Sequence, residues 1–170
     1  MRQCKYAASG ASVSKRPFSG TIWLATGQST STSYTGLRFT GITVPRNAVI
    51  TSAYLEVYST QNQWITIGFQ VYGDNTGNSS TFTMSTKPSQ RSLTAQRGTY
   101  SANTQWLANQ WYQIPGLEPV VQALVNRSDW QSGNALTLIL KGTSGQYGRK
   151  VAQSYDSNPS FAPRLVITYQ

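Results

Sequence analysis

Glu56, Asp74, Glu118, Asp129 and Asp156 are the only acidic side chains in the sequence, so any acid–base or calcium chemistry has to be built from these five. Histidine is absent. That removes Ser-His-Asp and Cys-His triads and every imidazole-ligated metal. The one cysteine, Cys4, can form neither an intramolecular disulfide nor a thiolate cage for zinc, and no base accompanies it to make a nucleophile. Glycoside hydrolysis needs two carboxylates roughly 5–10 Å apart. Glu56 and Asp74 flank one expected hairpin, but nothing in their spacing sets them over a common cleft. Asp129 and Asp156 sit beside turn signals and suit local capping. The expectation is a protein that is not an enzyme.

What remains is rings, amides and positive charge. A sugar's apolar face stacks on Trp or Tyr while amides and hydroxyls bind its hydroxyl groups. Tyr54, Glu56, Tyr58, Trp64, Gln70 and Tyr72 form one expected platform, and Trp106, Trp111 and Tyr112 a second candidate patch. The same rings would serve equally to cover a second layer or a subunit interface. Lys plus Arg number 14 against 5 Asp plus Glu, a net charge of +9. This favours an acidic partner. The cations are scattered, with Lys15–Arg16 and Arg149–Lys150 the only adjacent pairs, so no specific nucleic-acid recognition is expected.

These residues must be positioned by strands. The chain has 170 residues, which suits one domain, and its charged fraction is only 11%. Neutral polar and aromatic residues in that mixture favour strands and turns over helices. Residues 1–20 read as an extended, basic amino-terminal arm that needs something to lie against: its own sandwich, a neighbouring subunit or a larger assembly. Residues 21–170 read as the β-sandwich domain. Candidate strands are 21–26, 34–43, 49–58, 62–72, 80–84, 91–95, 110–114, 134–141, 147–154 and 163–169. Alternation predicts a hairpin in which Val57 opposes Ile65, Leu55 opposes Ile67 and Ala53 opposes Phe69, with Tyr58 across from Trp64 on the other face. Leu117, Val120, Val121, Leu124 and Val125 make an apolar stripe at helical spacing, predicting a short amphipathic helix over about 117–127 that closes one end. Pro119 and Glu118 suit its first turn. No apolar run is long enough to span a membrane, and no stretch of signal-peptide length is visible, so synthesis in a cytosol without that export route is expected.

Three stretches carry a resemblance. They are Thr35-Gly36-Leu37-Arg38-Phe39 running through Val44-Pro45-Arg46-Asn47 to Tyr54-Leu55; Val125-Asn126-Arg127-Ser128-Asp129-Trp130 to Leu136; and Ser154-Tyr155-Asp156 followed by Ala162-Pro163-Arg164-Leu165. Together they resemble a jelly-roll module of bacterial extracellular proteins, similar to the DNRLRE-type and carbohydrate-binding-module-like sandwiches, over about residues 35–170. The resemblance implies an all-β, antiparallel jelly-roll sandwich. In such modules an acidic site sometimes holds a structural calcium, and Asp74 and Asp156 occupy the matching neighbourhoods. Calcium takes six to eight oxygen ligands, and five acids in all make these weak candidates, so no cofactor is expected.

Jelly rolls serve both lectins and viral shells. The leading expectation is a structural virion component, a phage head-decoration (cement) protein or a tail or fibre piece, made in the host cytoplasm. Its partners would be an acidic capsid or tail surface and copies of itself. The alternative is an extracellular carbohydrate-binding module that takes polysaccharide.

Overall fold

The computed structural model describes residues 1–13, 21–25, 33–142 and 148–170. Among the described residues there are ten strands and one α-helix: β1 (Arg2–Val13), β2 (Thr21–Leu24), β3 (Tyr34–Phe39), β4 (Ile50–Ser59), β5 (Ile67–Asp74), β6 (Leu93–Ala102), β7 (Gln110–Ile114), α1 (Glu118–Val125), β8 (Leu136–Gly142), β9 (Lys150–Gln153) and β10 (Arg164–Tyr169). Short 3₁₀ turns at Pro88–Gln90 and Pro159–Phe161 interrupt the connections.

Eight strands form one antiparallel sheet in the order β6-β5-β8-β3-β1-β10-β4-β7, and β2 and β9 pair separately. The fold line of this sheet is β1. Arg2–Ala7 pair with β10, the register slips between Ala8 and Gly10, and the remainder of β1 pairs with β3. A bulge of this kind sharpens the bend of a strand. One strand therefore serves two leaves, β1-β10-β4-β7 and β1-β3-β8-β5-β6, whose inner faces share one apolar core. Ala53, Leu55, Val57, Leu165 and Ile167 from the first leaf meet Leu37, Phe39, Leu138, Ile67, Phe69 and Val71 from the second. The chain is thus an all-β antiparallel sandwich with one short helix, as its composition and alternation imply.

The amino-terminal segment expected as an arm is extended, and through Val13 it is a strand of the sheet, Arg2–Ala7 bonded to β10 and Ala8–Val13 to β3; residues 14–20 lie outside the described residues.

The predicted hairpin is corrected. β4 pairs with β10 and β7, whereas β5 pairs with β6 and β8. The inward sets Ala53/Leu55/Val57 and Ile67/Phe69/Val71 are right, but they face each other across the core, and Ile65, expected to head the second set, precedes the strand and is 50% exposed. Period-two alternation fixes which face a strand buries and leaves its neighbour undetermined. The expected strand over 80–84 is instead a turn region, and the strand expected over 91–95 continues to Ala102.

Two connections finish the layers. The segment between β5 and β6 crosses the outer face of the second leaf and lays the Phe82 ring on Gly36, where an added Cβ would collide with it. This explains why Thr137 and Ile139 on the outer face of β8 are as buried as the leucines on its inner face. The α-helix packs against β4, β5 and β6, joining both leaves opposite the fold line. β7 ends opposite Leu55, and the exposed edge of β4 beyond it is taken up by helix groups. The Ala53 N–H donates to Glu118 Oε1 at 3.1 Å, and the Leu117 N–H donates to the Ala53 carbonyl at 3.1 Å. The Ile50 N–H donates to Gln122 Oε1 at 2.9 Å. Covering an edge in this way removes a template for aggregation. Trp130 plugs the core beyond the helix, its Nε1–H donating to the Val44 carbonyl at 3.0 Å.

Candidate functional site

The six residues of the expected platform do not share a surface. Tyr54, Glu56 and Tyr58 alternate outward on β4, in the first leaf, and Gln70 and Tyr72 outward on β5, in the second. The two outer faces look away from each other. Trp64 belongs to neither, since it stands in the loop joining β4 to β5 and is 73% exposed.

On the first leaf, register builds an aromatic cluster around Tyr58. It opposes Trp111 across the β4–β7 ladder, and the rings meet edge-on with centroids 5.2 Å apart. Phe161 stacks on Tyr58 at 4.2 Å. The Arg164 guanidinium lies 3.9 Å from the centre of the Trp111 ring. Its NH2 group also donates to the Ser160 carbonyl at 2.9 Å, holding the turn that carries Phe161. Glu56 pairs with Lys5 at 2.7 Å. Phe161 and Arg164 were not singled out from sequence; the outward alternation of Arg164 with Thr168 on β10 was the available signal. Each ring of this cluster already has an intramolecular neighbour on its face or edge.

The second expected patch also divides. Trp111 faces outward with Tyr58, whereas Trp106 is buried and stacks on Tyr112 with centroids 4.4 Å apart. Lys150, fully buried, brings its Nζ to 5.5 Å from the Trp106 ring centre. The same ammonium donates to the carbonyls of Gln63 at 2.9 Å and Thr104 at 3.2 Å. Burial pushes its pKa below the ordinary lysine value. Gln63 closes the knot: its Nε2 donates to the Val151 carbonyl at 2.8 Å and its Oε1 accepts from the Val151 N–H at 2.6 Å. These bonds fasten the 60–66 and 103–109 loops to β9.

On the second leaf three of the outward residues are cationic. Register places Lys141 beside Gln70, Arg97 beside Tyr72 and Arg38 beside Thr137. The buried carboxylate at this face is Asp74; the more exposed Asp129 also reaches the crossing segment, accepting from the Gly77 N–H at 3.3 Å. The Asp74 Oδ2 accepts from Arg91 NH1 at 2.9 Å and from the Ser79 hydroxyl at 2.6 Å. Arg91 also donates to the carbonyls of Ser80 and Thr81 at 2.9 and 3.1 Å and rests over Phe82, so one guanidinium anchors the whole crossing segment. Arg38 donates from Nε to the Ser79 carbonyl at 2.9 Å. Burial first, and repulsion from Arg91 second, lower the Arg38 pKa.

The acids are dispersed. Asp129 accepts both Nε and NH2 of Arg127, at 2.8 and 2.9 Å, which holds its carboxyl below the usual range. Asp156 is exposed in the turn after β9. Of the weak calcium candidates, Asp74 already neutralises a guanidinium. Among the described residues no three His, Cys, Asp or Glu side chains gather where they could hold a metal ion.

No protein-family model matches the chain, and no curated protein is significantly similar to it.

Proposed function

We propose that this chain is a non-catalytic structural and binding β-sandwich that adheres to an acidic protein surface, as a virion surface component such as a phage head-decoration (cement) protein or a tail or fibre piece. One observation carries the proposal: four of the five carboxylates are engaged within the chain, while cations on the second leaf lack a carboxylate partner. Glu56, Asp74 and Asp129 are ion-paired inside the chain, and Glu118 caps a sheet edge. Arg38, Arg97 and Lys141 stand on the second leaf with Asp74 buried beneath them. Such a face gains little from catalysis-like geometry and much from a complementary negative surface. The jelly-roll resemblance agrees with a shell or lectin-like module.

The test is co-sedimentation of the full chain with particles from the producing cells on a density gradient. The proposal expects co-banding at fixed stoichiometry and release as salt rises from about 0.05 to about 1 M. A chain that never co-bands, or is released equally at all salt concentrations, contradicts it.

A second reading, a carbohydrate-binding module, is favoured by the exposure of Trp64 in a loop that also exposes Gln61 and Asn62. It expects retention on an insoluble neutral polysaccharide that Trp64→Ala abolishes. A broad glycan array without signal removes it.

A further inference from the structure

We infer that the free edge of β6 takes up an extended acidic segment of a partner protein as a further strand of the second leaf. The inference rests on the acidic-partner reading for the sign of the partner's charge; the strand itself follows from backbone geometry. β6 ends the strand order of the eight-stranded sheet. The Gly73 N–H donates to Thr94 Oγ1 at 3.0 Å and the Asn75 N–H to the Ser92 carbonyl at 2.7 Å. Odd-numbered residues of β5 therefore turn their peptide groups toward β6. Alternation along an antiparallel pair then assigns the shared bonds to Gly98, Tyr100 and Ala102, which oppose Val71, Phe69 and Ile67. The N–H and C=O groups of Arg97, Thr99 and Ser101 point the other way. All three residues are exposed, and among the described residues nothing bonds to their backbone from that side.

The other edges are treated differently. Helix side chains occupy the edge of β4 at Ile50 and Ala53, and β7 is five residues long. β6 runs for ten residues without proline, and its register is regular from Arg97 to Ala102. Charges, proline and bulges blunt an edge against unwanted pairing. Over this regular stretch the only such device is the Arg97 side chain. An edge of this form recruits a strand through main-chain hydrogen bonds, and alternate side chains set the choice of strand.

Alternation also describes the occupant. Its outward side chains would stand beside Arg97, Thr99 and Ser101, on the face that carries Lys141 in line with Gln70 and Thr99. Among the described residues Arg97 has no carboxylate partner, so an outward Asp or Glu pairs with it. The inward side chains would border the half-buried Tyr100, whose ring lies against Phe69 with centroids 5.3 Å apart. An apolar residue suits that position. The fitting segment therefore alternates acidic and apolar residues. A second copy of β6 fits less well, because it brings another Arg97 and a chain of +9 to the same edge.

Amide hydrogen exchange of the full chain, followed by NMR with an acetylated and amidated octapeptide of alternating Val and Glu as the probe, tests this. The expected result is saturable binding with Kd of about 0.1–1 mM. Bound peptide should slow exchange about fivefold or more at Arg97, Thr99 and Ser101 and leave Gly98 and Tyr100 unchanged, because those two amides already serve the ladder. Salt should weaken the binding, and the same peptide with Lys in place of Glu should not bind. Thr99→Pro removes an N–H that the ladder does not use, so it should abolish binding and keep the parent unfolding midpoint. Arg97→Ala should weaken binding about two- to fivefold. Absence of binding overturns the inference. So does binding that leaves the three amides exchanging as before, that survives Thr99→Pro, or that the Lys peptide matches. Exchange at these amides that slows with chain concentration and no peptide overturns it in favour of pairing between two copies. Salt-sensitive co-banding with particles that Thr99→Pro leaves intact overturns the added strand and keeps the acidic-partner reading. Peptide binding as described, by a chain that co-bands with no particle, removes only the particle reading.

Discussion

On the outer face of β4, β7 and β10, the prominent groups are partnered within the chain: Tyr58 with Phe161 and Trp111, Trp111 with Arg164, and Glu56 with Lys5. On the outer face of β3, β8, β5 and β6 stand Arg38, Lys141 and Arg97, while the nearby carboxylates Asp74 and Asp129 are paired with Arg91 and Arg127. The first face uses its rings and charges to hold a strand edge and a turn. The second uses a buried ion pair to hold its covering segment and leaves cations over. The contrast indicates that aromatic richness in this chain is largely internal cement; under the proposed function, recognition falls to charge.

The largest effect should come from breaking the anchor under the second face. Asp74→Ala leaves a nearly buried guanidinium without its carboxylate and should cost about 3–5 kcal/mol in urea unfolding. Loss of less than about 1 kcal/mol would mean that the covering segment does not depend on that pair. Next, Arg97→Glu combined with Lys141→Glu should weaken attachment to an acidic particle about tenfold, given about 0.2–1 kcal/mol per exposed pair. Thermal stability should barely change. Lys5→Glu, on the other face, should leave attachment as it was, and equal weakening by both would erase the distinction between the faces. A smaller effect is expected from Arg164→Ala, which removes a cation–π contact worth about 0.5–1 kcal/mol and should alter Trp111 fluorescence without altering attachment.

How much of this was legible in the sequence depends on the physical rule involved. Alternation correctly assigned the inward sets of β4, β5 and β8, because a strand with one buried face must follow period two. It could not choose between Leu55 pairing with Ile67 and both of them lining opposite walls, since either arrangement buries the same atoms. The platform of Tyr54, Tyr58, Gln70 and Tyr72 inherited that ambiguity and was divided by it. Phe161 and Arg164 escaped notice because their partners lie about a hundred positions earlier on β4 and about fifty earlier on β7; no local pattern links them. Lys150 read as surface charge because lysine rarely lies fully buried, although it shares a strand face with buried Ala152.

A further effect, confined to alkaline pH, is expected at the fold line between the two faces. Burial pushes the Tyr6 hydroxyl up to about 12, while Thr43 holds it at 2.9 Å. The unfolded chain releases that proton near pH 10 and the folded chain keeps it longer. Tyr6 therefore contributes stability that is complete below pH 10 and is lost as pH rises toward 12. Tyr100, also raised by burial, acts in the same direction. Tyr6→Phe should flatten part of the alkaline fall in stability, and an unchanged slope would place the hydroxyl in water.

The proposal that the second leaf rather than the aromatic first leaf meets an acidic partner is tested most directly by hydroxyl-radical footprinting of the chain bound to its particle. The account predicts protection of Tyr34, Tyr72 and the Lys141 and Arg97 side chains on attachment, with Tyr54 and Trp111 oxidised as in the free chain. Protection of Tyr54 and Trp111 with Tyr34 and Tyr72 still open would contradict it.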